Sequence, residues 1–557
     1  MSARSCDVGT AECSSGTGAG HFPPLLVDGQ RLALADVARI AFAPIGRGFE
    51  IPQEALRRMA ESVRCKDVLV ASGTAIYGVT TGFGDSSSRQ VDPRRSEEMQ
   101  RNLLRFLRVG VGPDAPDDVV RATMLIRANC AARGNSGIRA EPIELLLDLL
   151  ALDILPVIPE RGSVGASGDL APLSYVAAAL VGEGEVRHQG RRMSTAEALR
   201  AHALRPVALQ SKEGLALVNG TSFMAAYLAL AFAEATELIW IAELCTALAT
   251  ETRLSTDRQF ADFPHRHKPH PGQIDSAAHI HRMLAGSGLT NSETEKVAAD
   301  NKLGYVELSR GVQDPYSIRC APHVIGVLRD TAHWVENWLN IEINSSNDNP
   351  LFDATSGEVF NSGNFYGGHI AQAAQSLAAA TASVADLLDR QLQLLVDEKF
   401  NLGLPPNLIP PLPVDHASAG LHHGFKGAQI AASALTAEAL HLTTPAASFS
   451  RSTESHNQDK VSMGTIAARH ARTTGGLALD VAAIHLLALC QAADLRDADR
   501  LGPITGAVHA HVRKQIAFLD QDRPMDGDIE AIGAMIRRGE LRHVGEPAPV
   551  PHQNQAT

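Results

Sequence analysis

The chain has 557 residues, of which 45% are hydrophobic and 20% are charged, and its formal net charge is −12. This balance is typical of a soluble globular protein with a large core. The negative net charge argues against nucleic acid as a partner, because no basic stripe is available to neutralise phosphates. The seven cysteines are scattered, without a CxxC pair. They predict reduced thiols in a cytoplasmic protein, not a disulfide framework or a zinc site.

Both ends of the chain are predicted to be disordered tails. Residues 1–22 are rich in Ser, Gly and Cys without an apolar core, so they have the features of neither a signal peptide nor a membrane anchor. Residues 542–557 are expected to be a second tail. The most apolar stretch, 223–249, is interrupted by three glutamates that a bilayer core would tolerate poorly. It predicts a buried helix, and no membrane is expected as a partner.

Long helical patterns dominate the chain. Residues 376–400 place Leu377, Val384, Leu388 and Leu395 at spacings of seven, four and seven, which forms one apolar stripe on a helix. Similar patterns cover residues 221–251, 321–341, 428–442 and 465–494. Stripes of this length indicate packing against other helices, either in the same chain or in other subunits.

The fold class that follows is mainly α. We expect a long central helical bundle at 221–541 and a smaller, mixed, mostly helical N-terminal region at 23–220. Strand-like alternation is scarce, and the two short candidates, at 25–27 and 186–188, are expected to be pieces of hairpins.

A glycine-punctuated loop, YGVTTGFG, occupies residues 77–84 after a short predicted helix. Gly78, Gly82 and Gly84 permit a tight and mobile backbone, which is the composition of an active-site lid. The loop satisfies neither GxxxxGK[ST] nor GxGxxG, so it is not a phosphate loop. Taken alone, Tyr77 is an aromatic residue that packs at the start of a loop.

The segment RGSVGASGDLAPLSY, residues 161–175, contains three residues that can react with one another. The amide nitrogen of Gly168 can attack the carbonyl carbon of Ala166. Loss of two waters, one of them taking the Ser167 hydroxyl, then leaves a five-membered ring with an exocyclic methylidene. Gly168 has no Cβ, so its backbone can bend into the strained approach that this ring needs. Taken alone, the tripeptide is also an ordinary turn between helices.

Two further groups of residues have plain structural interpretations when each is taken alone. Residues 311–322, GVQDPYSIRCAP, could be a surface turn with a solvated arginine. The others could be helix caps, satisfied core amides or a core aromatic residue: Asn219, Asn347, Phe365, Asn457 and Gln458.

Together these motifs closely resemble the signature of the histidine, phenylalanine and tyrosine ammonia-lyases and the related aminomutases. The resemblance spans roughly residues 25–541. It implies that Ala166, Ser167 and Gly168 form the cofactor 4-methylideneimidazole-5-one (MIO), with no metal and no external cofactor. It also implies an aromatic amino acid as the small-molecule substrate and a homotetramer in which three subunits build each site.

The same resemblance implies roles for the site residues. Tyr77 falls on the family's catalytic tyrosine, and its phenolate could take the β-proton of the substrate if its pKa is pulled down from about 10. Tyr316 would lie near the MIO and the departing amine. Arg319 would bind the substrate carboxylate with its two-pronged guanidinium, and Gln313 carries over from the same loop. The other implied contacts to the MIO and the substrate are Asn219, Asn347, Phe365, Asn457 and Gln458.

The pair Phe106 and Leu107 indicates the ring preference. In the resembled family, Phe-Leu at this pair goes with phenylalanine, His-Leu with tyrosine and Ser-His with histidine. A phenylalanine can pack against an unsubstituted ring, but it leaves a phenol hydroxyl unpaired at about 1–3 kcal/mol. We therefore expect non-oxidative deamination of L-phenylalanine to trans-cinnamate and ammonia, with L-tyrosine to p-coumarate as a second candidate.

Three alternatives stand beside this interpretation. A 2,3-aminomutase would use the same scaffold, and a histidine ammonia-lyase would need a different ring pocket. A non-catalytic helical structural protein would be expected to have lost Tyr77 or Ser167, and both are intact. Lys460 is unusual beside the Asn457-Gln458 motif, because a buried ammonium there would perturb its neighbours.

Overall fold

The structure is a computed structural model that describes residues 23–42, 48–291, 304–305, 308 and 311–546. The predicted mainly α fold is confirmed. The α-helices of the described residues are α1 (Leu34–Phe42), α2 (Gln53–Ala71), α3 (Ser96–Leu107), α4 (Asp117–Ala132), α5 (Ala140–Ala151), α6 (Leu170–Leu180), α7 (Thr195–Ala201), α8 (Glu213–Val218), α9 (Ser222–Thr252), α10 (Asp262–Arg266), α11 (Pro271–Met283), α12 (Tyr316–Arg319), α13 (Ala321–Glu342), α14 (Gly368–Val396), α15 (Lys426–His441), α16 (Gly464–Arg496), α17 (Pro503–Arg513), α18 (Asp526–Arg537) and α19 (Glu540–Gly545).

The strands are short and form four small sheets. They are β1 (Leu25–Leu26), β2 (Phe49–Glu50), β3 (Val111–Asp114), β4 (Leu155–Pro156), β5 (Pro159–Arg161), β6 (Glu185–His188), β7 (Arg191–Ser194), β8 (Leu351–Asp353) and β9 (Glu358–Phe360). The sheet orders are β1-β2, β3-β5, β4-β6-β7 and β8-β9. The predicted hairpin near residue 186 is present as β6 and β7. The prediction for 25–27 was wrong in one respect, since β1 pairs in parallel with β2 and so is not part of a hairpin.

The long helices follow the predicted apolar patterns. Helices α9, α13, α15 and α16 each begin and end within two residues of their predicted bounds. Helix α14 begins eight residues before the predicted start at 376, because the alanine-rich turns that precede its apolar stripe also favour helix. The stripe of Leu377, Val384, Leu388 and Leu395 is buried along its whole length.

The described chain forms two compact units, and each unit draws on three segments. The first contains residues up to 232, 335–375 and 444–472, and the second contains 233–334, 376–443 and 473 onward. The nine strands found in the described residues all belong to the first unit. The predicted division after residue 220 therefore does not describe these units, because distant segments return to each of them.

The buried helix predicted from 223–249 lies within α9. Its Glu243 is fully buried, and the Arg329 guanidinium donates two hydrogen bonds of 2.7 Å to that carboxylate. Among the described helices, α16 is long and apolar enough to cross a bilayer, and 83% of its most apolar window is buried inside the structure. Such burial is found in the core helix of a folded protein.

The C-terminal end of the described chain is held in place in the second unit. His279 contacts the carboxylate of Glu243 on one side and that of Glu546, at 2.7 Å, on the other. Trp240 Nε1 also donates to Glu546 at 3.3 Å. These contacts correct the tail predicted at 542–557, since α19 and Glu546 are ordered by them. The predicted tail at 1–22 and residues 547–557 lie outside the described residues.

A fully buried ion pair holds the N-terminal end of α8 in the first unit. Lys212 Nζ lies 2.6 Å from Asp348 Oδ2, and neither side chain is exposed. Burial lowers the pKa of Lys212, while Asp348 opposes that shift. The pair links two segments that are 136 residues apart in sequence.

We predict that Lys212→Met destabilises the protein by about 3–5 kcal/mol, because it leaves the Asp348 carboxylate buried without its partner. Urea unfolding measures this change. The double variant Lys212→Met/Asp348→Leu is the control, and it should recover most of the loss because no charge stays buried. A single variant as stable as the wild type would contradict the prediction.

Candidate active site

The first unit contains a cavity of about 570 Å³ with walls from several distant segments. Nine of the predicted site residues line it: Tyr77, Phe106, Leu107, Ala166, Ser167, Asn219, Phe365, Asn457 and Gln458. They come from the loop after α2, the end of α3, the turn before α6, the end of α8, the turn before α14 and the loop before α16. The fold thus brings together residues that are up to 381 positions apart, from 77 to 458.

The turn at residues 165–168 has an unusual backbone. Gly165, Ser167 and Gly168 have φ values of 79°, 51° and 77°, all in the left-handed region. An L-residue such as Ser167 adopts this region at an energetic cost, so the surrounding contacts must hold it there. A Cβ at Gly168 would overlap the carbonyl group of Gly220, so only glycine fits at this position.

Hydrogen bonds fix both oxygens of Ser167. Its carbonyl oxygen accepts from Asn219 Nδ2 at 3.0 Å and from the Gly220 backbone N–H at 3.2 Å. Its hydroxyl Oγ accepts from Gln458 Nε2 at 3.1 Å. The Asn219 side-chain oxygen is buried and has no hydrogen-bond partner, which leaves an acceptor free at the cavity wall. Two donors therefore converge on the Ser167 carbonyl oxygen.

Asp169, directly after this turn, holds it in place through hydrogen bonds to α9 and α16. Its carboxylate accepts from Thr465 Oγ1 at 2.6 Å and from the backbone N–H groups of Met224 and Phe223 at 2.9 and 3.1 Å. Complete burial raises the pKa of Asp169 to about 6, and these hydrogen bonds limit that rise. The carboxylate lies at the N-terminus of α9, where the free N–H groups of a helix favour an acceptor.

Tyr77 lies at the start of the glycine loop and lines the cavity. The hydroxyl oxygen accepts from the Gly84 N–H at 2.8 Å, and its ring meets Phe83 edge to face at 6.5 Å. Burial raises the pKa of Tyr77, the Gly84 N–H works against that rise, and the Glu454 carboxylate adds to it. Burial dominates the three contributions, so the direction of this shift is opposite to the lowered pKa that would favour a phenolate base near neutral pH.

Phe106 and Leu107 form an apolar wall at the C-terminal end of α3. Phe106 is 57% exposed and Leu107 is half-buried. Neither side chain can donate or accept a hydrogen bond. This wall can therefore contact an apolar group but cannot satisfy a polar one.

Two predicted site residues lie behind the cavity wall. Gly168 is buried beneath Ser167. Asn347 is buried, and its side-chain N–H groups donate to Thr221 Oγ1 at 2.9 Å and to Cys130 Sγ at 3.5 Å. Asn347 therefore does not line the cavity in the single chain, its amide supports the segment behind Asn219, and its predicted contact with a substrate stays a prediction.

Three other predicted residues, Gln313, Tyr316 and Arg319, belong to the second unit and do not line this cavity. Tyr316 and Arg319 are the first and last residues of α12. The Tyr316 side chain is 71% exposed, and the Arg319 guanidinium lies 4.6 Å from the centre of its ring.

Several lining residues were not identified from the sequence: Asn349, Ser362, Glu454 and Lys460. Glu454 Oε1 accepts from the Asp85 N–H at 3.2 Å, and burial raises the pKa of Glu454. Glu454 could have been identified from the sequence because it lies three residues before Asn457.

Lys460 is exposed, so the expected perturbation by a buried ammonium does not apply. In the described residues, no group of three His, Cys, Asp or Glu side chains could hold a metal ion.

Comparisons with known proteins all point to the same family of enzymes. A family model described as aromatic amino acid lyase matches residues 32–514. The tyrosine ammonia-lyase of Cupriavidus metallidurans is 41% identical, covering 94% of this chain and 98% of that protein. The histidine ammonia-lyase of Alkaliphilus oremlandii is 38% identical, covering 94% and 99%. The crystal structure of tyrosine aminomutase from Streptomyces globisporus superposes with a TM-score of 0.86 at 36% identity, covering 94% and 98%.

Proposed function

The chain belongs to the aromatic amino acid lyase family, and we propose that it is an ammonia-lyase acting on an aromatic L-amino acid. The observation that carries this proposal is the left-handed turn at Ser167 and Gly168, in the wall of a cavity that Tyr77 and Phe106 also line. The reaction would break the bond between the amino nitrogen and Cα and remove a proton from Cβ. Its products would be ammonia and an aryl acrylate.

We propose that Ala166, Ser167 and Gly168 form MIO, and the residues present fit that group. The backbone at Gly168 has no room for a Cβ, and Ser167 is held in the left-handed region, so the tripeptide forms a tight turn in the cavity wall. Asn219 and Gly220 donate to the carbonyl oxygen that the ring would keep. When formed, MIO supplies an electrophilic carbon to which the substrate amine can bind.

The ring of the substrate would lie against Phe106 and Leu107. Their apolar surfaces favour the phenyl ring of L-phenylalanine, which would give trans-cinnamate. L-Tyrosine, which would give p-coumarate, stays a second candidate, and the likeness to a tyrosine ammonia-lyase supports it. Histidine is disfavoured because Leu107 offers an imidazole no hydrogen-bond partner.

The remaining polar groups would bind and move protons. Tyr77 would take the β-proton, because it lines the cavity and carries a titratable hydroxyl. Asn219, Phe365, Asn457 and Gln458 would surround the MIO and the amino acid group. Asn347 would act indirectly by holding the segment behind them.

We propose a cytoplasmic homotetramer in which other copies supply Gln313, Tyr316 and Arg319 to each site. Arg319 would bind the substrate carboxylate, and Tyr316 would lie near the departing amine. The exposure of Tyr316 in the single chain supports this arrangement. The cysteines of the described chain are free thiols, which fits a reducing compartment.

The likeness to an aminomutase structure supports a second candidate function, a 2,3-aminomutase. That enzyme would return the amine to the β-carbon. Purified protein incubated with phenylalanine, tyrosine and histidine in turn distinguishes all of these possibilities. Chromatography and absorbance identify an aryl acrylate, and NMR identifies a β-amino acid.

The mass of the 161–175 region is expected to be lower than its sequence mass by two waters, because ring closure removes both. Ser167→Ala cannot form the methylidene, so it should not show the two-water loss and should lack nearly all activity. Ser362→Ala is the matched control, since it removes another serine hydroxyl at the cavity wall without touching the turn. An active enzyme with an unmodified mass would contradict the cofactor proposal.

Tyr77→Phe is expected to lower kcat by roughly 10²–10⁴-fold, because it removes only the proposed base. Since the pKa of Tyr77 is raised, the phenolate is a small fraction near neutral pH. The wild-type kcat should therefore rise with pH on the alkaline side, and the variant should lose that rise. Substrate binding should weaken little.

Tyr175→Phe is the matched control, because the Tyr175 hydroxyl also accepts from a glycine N–H, that of Gly110, but lies outside the cavity lining. Near-wild-type turnover in Tyr77→Phe would move the base role to Tyr316.

Phe106→His should shift selectivity from phenylalanine toward tyrosine by roughly ten- to a hundredfold, because it adds a hydrogen-bond partner for the phenol. The ratio of kcat/KM for the two substrates measures this shift. Phe106→Leu is the control, since it changes the shape of the wall without adding a polar group. A strong wild-type preference for tyrosine would overturn the interpretation of this position but not the lyase proposal.

The active species should be a tetramer by light scattering. A sharper test mixes two inactive variants, Ser167→Ala and Arg319→Met, within one oligomer by co-expression. If another copy supplies Arg319, some sites receive both intact residues and activity returns. An active monomer, or mixed oligomers without activity, would contradict shared sites.

A further inference from the structure

Arg127, in α4, is a fully buried guanidinium in the first unit. Its Nη1 donates to the carbonyl oxygen of Asn219 at 2.7 Å. Its Nε and Nη2 are buried and have no hydrogen-bond partner among the described residues. Within that part of the chain, no carboxylate is therefore bonded to this charge. A buried charge without a counter-ion is costly, so its retention needs a reason beyond filling space.

A single peptide group connects the Arg127 guanidinium to the Ser167 carbonyl oxygen through two hydrogen bonds. Arg127 bonds the C=O of the Asn219–Gly220 peptide, and the N–H of the same peptide donates to Ser167 O at 3.2 Å. The Asn219 side chain donates to that oxygen as well, at 3.0 Å. A cation that bonds the oxygen of an amide withdraws electron density from it and makes its N–H a stronger donor.

The fit around this peptide is close. Gly220 has φ 143°, and a Cβ there would overlap Arg127 Nη1 and lie 2.7 Å from both oxygens of Asn347. The absence of a side chain at residue 220 thus lets the guanidinium reach the peptide oxygen. Lys212 is a second buried cation, and its pKa is lowered first by burial and in part by the positive charge of Arg127, so the two cations lie within range of each other.

We propose that Arg127 is a positioning residue that increases the electrophilic character of the MIO through the Asn219–Gly220 peptide. This inference rests on the proposed function, because Ser167 O becomes the ring oxygen only if the tripeptide cyclises. When a nucleophile bonds to the former Ser167 Cβ, the electron pair of the C=C bond moves toward that oxygen. Stronger donation from the Gly220 N–H, beside the hydrogen bond from Asn219, stabilises the negative charge that collects there.

The test uses full-length enzyme with two substitutions. Arg127→Gln keeps a donor for Asn219 O but removes the charge, and Arg127→Lys keeps the charge. Intact mass first establishes the two-water loss in each protein. The second readout is the rate at which hydroxylamine, without substrate, consumes the absorbance of the matured group. Hydroxylamine is neutral near pH 8, so loss of the arginine charge does not alter its long-range attraction.

We expect Arg127→Gln to lower both the hydroxylamine rate and kcat by roughly tenfold, which is less than the roughly 10²–10³-fold cost of losing a donor to a developing oxyanion, because the Gly220 N–H stays in place; KM should change little. Arg127→Lys should recover most of both rates. A merely structural role would lower the melting temperature and leave the hydroxylamine rate per matured site unchanged, which would overturn the proposal. Failure of both variants to fold or mature would also overturn it.

These outcomes are separable from failure of the proposed function. A wild-type protein without the two-water loss refutes the cofactor proposal itself. A matured wild type with an equally reactive Arg127→Gln variant refutes only the role of Arg127.

Discussion

The close approach of Gly168 to Gly220 is the constraint on which the rest of the site depends. The two residues pair as an isolated parallel bridge, with the Asp169 N–H donating to Gly220 O at 2.7 Å and the Gly220 N–H donating to Ser167 O. Neither position can carry a Cβ, because each would overlap the opposite backbone or its supporting side chains. This contact holds the reactive tripeptide in a left-handed turn and aims two donors at one oxygen. Local strain at Ser167 is offset by contacts that come from far along the chain.

Those contacts are made mostly by buried polar groups, which have few other hydrogen-bond partners within reach. Asp169 joins the turn to the start of α9 and to Thr465 in α16, so one carboxylate fixes two long helices against the tripeptide. The Lys212–Asp348 pair does the same for α8. Buried polar groups of this kind are stabilising only when their partners are in place, so they specify one arrangement strongly.

Much of this architecture could be predicted from the sequence, and the failures have physical causes. The stripe of α14 and the bounds of α9 and α16 follow from periodicity, which is local. The motifs around Tyr77, Ser167 and Gln458 identified most of the cavity wall, but spacing could not tell that Asn347 faces Thr221 instead. Nor could it give the direction of the Tyr77 pKa, which depends on burial and on Glu454, 377 residues away. The ordered end at Glu546 was missed because its partners, His279 and Trp240, lie about 270 and 306 residues before it.

The location of Phe106 has a consequence for how such a protein can evolve. The residue is at an exposed helix end, contributes no hydrogen bond to the fold and is on a different element from the Gly168–Gly220 contact. Surface substitutions of this kind usually change stability little, whereas almost any change at the two glycines would exceed the small stability reserve of a natural protein. Under the proposed function, mutations at Phe106 would therefore be open to drift and selection while the turn at Ser167 and Gly168 stays fixed. This separation predicts relatives of similar identity that differ in activity. The chain is about equally similar to a histidine ammonia-lyase, a tyrosine ammonia-lyase and a tyrosine 2,3-aminomutase.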